Sequence, residues 1–340
     1  MSIDLAHAVV VITGASSGIG QATAEAFARR GSRLVLAARS LEALEKVAET
    51  CRSLGAEAVA VETDVTDPQA VVALASKAEE FGRIDVWVSN VGIGAVGRFH
   101  ETPIEAHEQV VRANLLGHIN DAHAVVPIFL RQGHGVFINM ISLGGFAAAP
   151  FAAAYSASKF GLRGFAEALR AELADKPNIH ICDIYPAFVD TPGLRHGANY
   201  VGREITAPPP VINARRVARA IVEVAISPRP STTVGSVTAM TRLAHLVAPN
   251  FAARTLGRFM EGYFERAPRV EVSSGNLFEP PARAGGIDGG FRSEASHTSR
   301  NVVLALTAIA ALAAGAAVAS GSHRRRRSLD ALSDWLSRHR

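Results

Sequence analysis

The sequence predicts an α/β protein built on a doubly wound parallel sheet, and three observations carry that prediction. From residue 8 to about 235, short β-branched runs alternate with amphipathic helical stretches. The strand-like runs are apolar without period-two alternation, as in strands covered on both faces. The first run passes through a glycine-rich turn straight into a helix. Together these describe repeated strand–helix–strand units with helices on both sides of one sheet.

Seven strands are predicted at 8–13, 33–37, 58–62, 86–89, 135–141, 179–185 and 232–234. Amphipathic helices are predicted between them at 21–30, 41–54, 68–81, 104–131, 152–174 and 214–225. Residues 1–235 then form one α/β unit. Residues 236–266 read as a helical extension packing on it, with Leu243, Leu246, Phe259 and Phe264 on its apolar face. Residues 267–300 are rich in Pro, Gly and Ser and read as a flexible linker.

The chain has 340 residues, 48% hydrophobic and 19% charged, a globular composition that excludes a disordered chain. Its two cysteines, Cys51 and Cys182, exclude a disulfide framework and a four-cysteine zinc site, and no metal site is expected. The net charge of +4 sits in residues 301–340, where six arginines face Asp330 and Asp334. The body is neutral in sum, which gives no support to nucleic-acid binding. No positive region precedes the first apolar run, so the N-terminus reads as a buried strand rather than a signal peptide, and the α/β unit as cytoplasmic.

Residues 302–319 form an uncharged run of 18, half of it alanine, at the lower limit for spanning a bilayer. Arg324–Arg327 follow, then a stretch placing Leu329, Leu332, Trp335 and Leu336 on one helical face. This combination suits an anionic membrane surface. The run can span the bilayer, lie in its interface, or pack on protein; the arginines C-terminal to it disfavour spanning with a cytoplasmic body.

The turn after the first strand reads Thr13-Gly14-Ala15-Ser16-Ser17-Gly18-Ile19-Gly20. Glycines there permit a tight turn and close approach of backbone to phosphate, and the following helix offers free N–H groups to a pyrophosphate. The second strand ends at Ala37-Ala38-Arg39, with no carboxylate to bind a ribose 2′-hydroxyl. A guanidinium there suits a 2′-phosphate, which favours NADP(H) over NAD(H).

With Tyr155-Ser156-Ala157-Ser158-Lys159 added, residues 6–235 resemble the short-chain dehydrogenase/reductase family, whose fold is the Rossmann type. The resemblance implies that Gly14, Ser16, Ser17, Gly18, Ile19, Gly20 and Arg39 bind cofactor, with Asp64 and Val65 near the adenine. It assigns Asn90, Pro186, Val189 and Thr191 to the same ligand, Thr191 holding the nicotinamide carboxamide. Asn114, Ser142, Tyr155 and Lys159 match the catalytic tetrad, with Tyr155 and Lys159 also touching cofactor. The family's Asn-Asn-Ala-Gly appears here as Ser89-Asn90-Val91-Gly92, and its Pro-Gly as Pro186-Ala187. Both departures keep residue size roughly and affect loop detail. The family's habit of pairing through the helices bearing Asn114 and Tyr155 implies a homo-oligomer.

The residues argue for the same chemistry. Tyr155 and Lys159, four apart, share a helix face. A phenol's ordinary pKa near ~10 is high for a proton donor at neutrality, and a neighbouring ammonium is expected to lower it. Only four of the 35 basic residues are lysine, so its use here is selective. Ser142 can hold a substrate oxygen, and the Asn114 amide can order a water beneath Lys159. The expected reaction is hydride transfer between NADP(H) and a carbonyl or alcohol. Val91, Ile93, Val96, Leu143, Phe146, Phe151, Phe188 and Leu194 suggest an apolar, lipid-like substrate. The alternative is a catalytically idle NADP(H)-sensing scaffold recruited to a membrane, which would have no need of the Tyr155–Lys159 pair.

Overall fold

The computed structural model describes residues 3–207, 210–236, 238, 241–242, 249–281 and 286–294. Seven strands form one sheet: β1 (Val9–Thr13), β2 (Arg33–Ala38), β3 (Ala58–Glu62), β4 (Val86–Ser89), β5 (Gly135–Met140), β6 (Ile179–Pro186) and β7 (Ser231–Val234). Their order is β7-β6-β5-β4-β1-β2-β3, every neighbouring pair parallel. Parallel neighbours need crossovers, and helices supply them: α1 (Gly18–Ala28), α2 (Leu41–Ser53), α3 (Pro68–Glu79), α4 (Ile104–Val111), α5 (Gly117–Gln132), α6 (Ala153–Glu172) and α7 (Ala214–Ile226).

Successive strand residues feed opposite faces. Val10, Ile12, Leu34 and Leu36 pack with Phe27 of α1, Leu44 of α2 and Ile221 of α7. Val11, Val35, Trp87 and Phe137 pack with Leu74 of α3, Phe129 of α5 and Ala166 of α6. Both faces are therefore dry, which explains the uniformly apolar strands, and each large side chain buried this way contributes roughly 1.5–3 kcal/mol. The helices begin where local chemistry lets them: Ser40 caps α2 by accepting from the Ala43 N–H, and Asp67 caps α3 by accepting from the Gln69 N–H, with Pro68 in the first turn.

Two expectations are corrected. The single helix predicted over 104–131 is interrupted by a π-helical turn at Arg112–Leu116, which separates α4 from α5. Periodicity cannot register one extra residue in a turn. The segment predicted as a flexible linker is, where described, laid against the body. Asn199 and Arg203 form antiparallel bridges with Ser273 and Arg269, and Leu277, Ile287 and Phe291 are buried. A longer helix, α8 (Pro249–Arg266), precedes it; Tyr263 of α8 hydrogen bonds to Thr206 at 2.8 Å.

Among the described residues no helix is long and apolar enough to cross a membrane. The run 302–319 and the basic stretch after it lie outside the described residues.

Candidate active site

The order of the strands reverses between β1 and β4, and ligands of such sheets bind in the crevice at the carboxyl ends of the strands flanking that point. The glycine turn leaves β1 there. Gly14 has φ +66°, and a Cβ on Gly20 would collide with the Gly14 carbonyl, so the first turn of α1 sits against the strand end. Asn90, at the end of β4, ties the two strands together by donating to the Thr13 and Gly14 carbonyls at 3.3 and 3.1 Å. The α1 N-terminus has no side-chain cap from Ser17 and no acidic residue in its first turn; its first N–H, that of Gly18, donates to the Gly286 carbonyl at 2.8 Å. Ser16, Ser17 and Ile19 are partly exposed at the mouth of this turn.

Thr191 reaches the same place from the other side. A Cβ on Gly18 would meet the Thr191 side chain at 3.2 Å. Pro186 closes β6, and Val189 lies in a two-residue strand paired with Ile212. Asp64 follows β3, its carboxylate accepting from both the N–H and the hydroxyl of Thr66 at 2.8 Å, while Val65 is buried and its carbonyl accepts from Asn120. Arg39, at the end of β2, is engaged within the chain: its guanidinium donates to the carbonyls of Asn276 at 2.7 Å, Phe278 at 3.0 Å and Leu277 at 3.3 Å.

Ser142, Tyr155 and Lys159 converge beside this crevice. Ser142 follows β5 with φ +135°, a strained conformation for a residue bearing Cβ, which costs of order 1–3 kcal/mol and is found where geometry serves a site. Its hydroxyl accepts from the Gly144 N–H at 3.2 Å and faces the Tyr155 phenol closely enough to lower its pKa. A Cβ on Gly144 would sit 3.1 Å from the Tyr155 ring, so glycine is what lets the ring lie so close. Lys159, one turn along α6, is 3% exposed; its Nζ donates to the Met140 carbonyl at 3.0 Å and lies 5.8 Å from the centre of the Tyr155 ring.

The electrostatics differ from the sequence expectation. Burial raises the Tyr155 pKa above its ordinary value, and the facing Ser142 hydroxyl offsets part of that. Burial also pushes the Lys159 ammonium down to about 7. Both groups sit in the same desolvated region, so loss of water outweighs the acidifying influence that a surface ammonium would exert.

Asn114 differs too. It is fully buried in the π-helical turn, where its side-chain oxygen accepts from the Ile93 N–H and its amide donates to the Ile93 carbonyl, both at 2.8 Å. The amide therefore pins the loop after β4, with a longer contact to Ser158 of 3.4 Å. Phe146 is removed from the expected substrate lining, since it stacks on Tyr185 within a core cluster.

Sequence reasoning missed two buried groups on α5. Asp121 accepts from the hydroxyls of Ser89 and Thr13 at 2.6 and 2.9 Å, and burial pushes its carboxyl up to about 7. His118 faces the Val91 carbonyl at 2.8 Å and the Asn139 side chain at 2.7 Å; burial, with the nearby Lys159, pushes it down to about 4, so the ring is neutral. The available signal was two polar residues on the stripe shared with Ala122, Val125 and Phe129.

Comparison with known proteins agrees with this architecture. The family described as short chain dehydrogenase matches residues 8–198. The chain belongs to the short-chain dehydrogenase/reductase family. An uncharacterized oxidoreductase of Listeria innocua is 40% identical over 187 residues, 54% of this chain and 75% of the relative. A short-chain dehydrogenase/reductase from Burkholderia phymatum, solved in complex with NAD, is 28% identical with a TM-score of 0.63, covering 80% of this chain and 99% of its own. An alcohol dehydrogenase from Thermococcus sibiricus, solved with 5-hydroxy-NADP, is 29% identical with a TM-score of 0.58, covering 68% and 97%. As a short-chain dehydrogenase/reductase, the chain is an oxidoreductase by family.

Proposed function

We propose that the chain is an NADP(H)-dependent oxidoreductase interconverting a carbonyl and an alcohol on an apolar substrate. The observation that carries this reading is the convergence of Ser142 and Tyr155 on Gly144, with the Lys159 Nζ 5.8 Å from the Tyr155 ring, beside the glycine turn that opens α1. The donor set fits a dinucleotide: helix N–H groups with no side-chain cap, glycines where a Cβ would intrude, a guanidinium at the end of β2, and no carboxylate to repel phosphate in the first turn of α1.

Gly14, Ser16, Ser17, Gly18, Ile19 and Gly20 would hold the pyrophosphate. Arg39 would hold a 2′-phosphate, with Asp64, Val65 and Asn90 toward the adenosine half and Pro186, Val189 and Thr191 toward the nicotinamide half. When bound, a nicotinamide cofactor supplies or accepts the hydride. Tyr155 would give its phenolic proton to the substrate oxygen during reduction and recover it during oxidation. Ser142 would orient that oxygen, its hydroxyl and the Tyr155 ring lying on the same side of Gly144. Lys159 titrates near neutrality, so its ammonium can form to stabilise a developing phenolate.

The preference for NADP(H) rests on Arg39, since the solved relatives hold NAD in one case and an NADP derivative in another. The apolar substrate is supported by Ile93, Ala95 and Ala198, which cluster against Tyr155. Attachment of residues 302–340 to a membrane, and assembly of like copies, belong to the same proposal. Vesicle flotation and sedimentation velocity test them.

The reading is tested by incubating the full chain and NADPH with a membrane lipid extract and identifying products by mass spectrometry. A product heavier by H2, formed with NADPH and not with Tyr155→Phe, is expected. NADPH left unconsumed with every aldehyde and ketone offered would favour the idle scaffold.

A further inference from the structure

We propose that residues 276–281 and 286–292 form an intramolecular strap seated in the dinucleotide groove, so that strap and cofactor exclude one another. This rests on the dinucleotide reading above and adds a regulatory device to it.

The strap satisfies the groups that a dinucleotide would need. The Arg39 guanidinium, placed for a 2′-phosphate, is surrounded instead by carbonyl oxygens of Asn276, Leu277 and Phe278. The Gly18 N–H, the first donor of α1, gives its hydrogen to the Gly286 carbonyl at 2.8 Å. A Cβ on Gly289 would collide with the Thr191 backbone, so the strap lies directly on the residue assigned to the nicotinamide end. Three elements that are far apart in sequence are thus engaged by one short stretch of chain, in each case through its backbone.

Two kinds of contact hold it there. Leu277 is fully buried among Ile93, Val110, Ala113 and Ala198, in the cluster that touches Tyr155. At the far end Asp190 acts as a clamp: one carboxylate oxygen accepts from the Gly289 and Phe291 N–H groups at 3.0 and 2.9 Å, and the other pairs with Arg292 at 3.0 Å. The clamp sits beside Thr191, so the strap leaves the groove only when both it and the Leu277 contact give way.

The chemistry makes the contact reversible. A backbone carbonyl is an acceptor like a phosphate oxygen, so the same donors recognise both. A phosphate carries charge, so it turns the neutral bond of the Gly18 N–H into a charge-assisted one, roughly twice as strong, and adds ion pairing to the Arg39 guanidinium. The tethered strap has a high effective concentration, and the free cofactor has the stronger bonds. Two-state arithmetic then gives the consequence: a strap closed in about nine molecules of ten weakens apparent cofactor affinity about tenfold.

The test uses the full chain, Leu277→Asp and Arg292→Ala, neither residue being assigned to catalysis or cofactor. NADPH affinity is measured by calorimetry, and hydrogen–deuterium exchange is followed in the unmodified chain with and without NADPH. Exchange in 276–281 and 286–292 should rise on binding while residues 14–20 become protected, and both variants should bind NADPH more tightly, Leu277→Asp by about tenfold. Binding by the variants alone also supports the strap. Protection of 276–292 on binding, or unchanged affinity in folded variants, overturns it. If the unmodified chain and both variants all fail to bind NADPH, the dinucleotide reading itself has failed.

Discussion

The Nζ of Lys159 lies 5.8 Å from the centre of the Tyr155 ring and donates to the Met140 carbonyl. The pair is thus a proximity rather than a hydrogen bond, the ammonium being engaged by the backbone. Burial raises the one pKa and lowers the other, so both groups are held toward their neutral forms. A lysine titrating at about 7 can take on charge when the site needs it.

Lys159 also sets a pH dependence of stability. The unfolded chain keeps this proton up to about pH 10.5, whereas the folded chain releases it near pH 7. Between those values the unfolded state binds more protons, so stability rises with pH, and the contribution is lost as pH falls through 7. Denaturant midpoints across this window should climb more steeply for the parent than for Lys159→Met. Identical slopes would refute a depressed lysine.

Asp121 acts in the opposite sense. Its carboxyl titrates at about 7 when folded and near 3.8 when unfolded, so its contribution is present below 3.8 and lost as pH rises through 7. Asp121→Asn should remove that slope between about pH 4 and pH 7 while keeping an acceptor for Ser89 and Thr13. The comparison is read as the difference between the two unfolding curves, which cancels other titrating groups. A constant difference across that range would mean the carboxyl is ionised in the fold.

Arg39 bears on cofactor choice. Arg39→Asp exchanges a donor for a 2′-phosphate for an acceptor suited to a ribose hydroxyl. The ratio of kcat/KM for NADPH over NADH should fall at least about tenfold, the loss of one charge-assisted contact. Using the ratio cancels whatever the variant does to the strap, since both cofactors meet it. An unchanged ratio would show that Arg39 does not read the 2′ position.

Local signals explain what was legible in the sequence. The strands, the glycine turn and the Tyr155–Lys159 spacing each depend on residues within a few positions of one another, so their chemistry is written where they stand. The strap is different. Leu277, Ile287 and Phe291 are isolated apolar anchors among Pro, Gly and Ser, and the contacts to Arg39 and Gly18 are made by backbone carbonyls, which every residue carries. No residue type marks such a segment as bound. The π-helical turn at Arg112–Leu116 and the use of the Asn114 amide to pin Ile93 were hidden for a related reason, since both depend on where β4 leaves its loop relative to α5. Burial of Lys159 was likewise invisible, because a helix face shows which residues are neighbours and not how much water reaches them.

The central claim is that the Tyr155 hydroxyl moves the proton. Steady-state reduction of an apolar ketone by NADPH, measured for the parent and Tyr155→Phe alongside NADPH affinity, tests it most directly. The account predicts a fall in kcat of about 10²-fold or more, the range of general acid catalysis, with affinity and fold nearly unchanged. A phenylalanine variant that turns over at the parent's rate would contradict it.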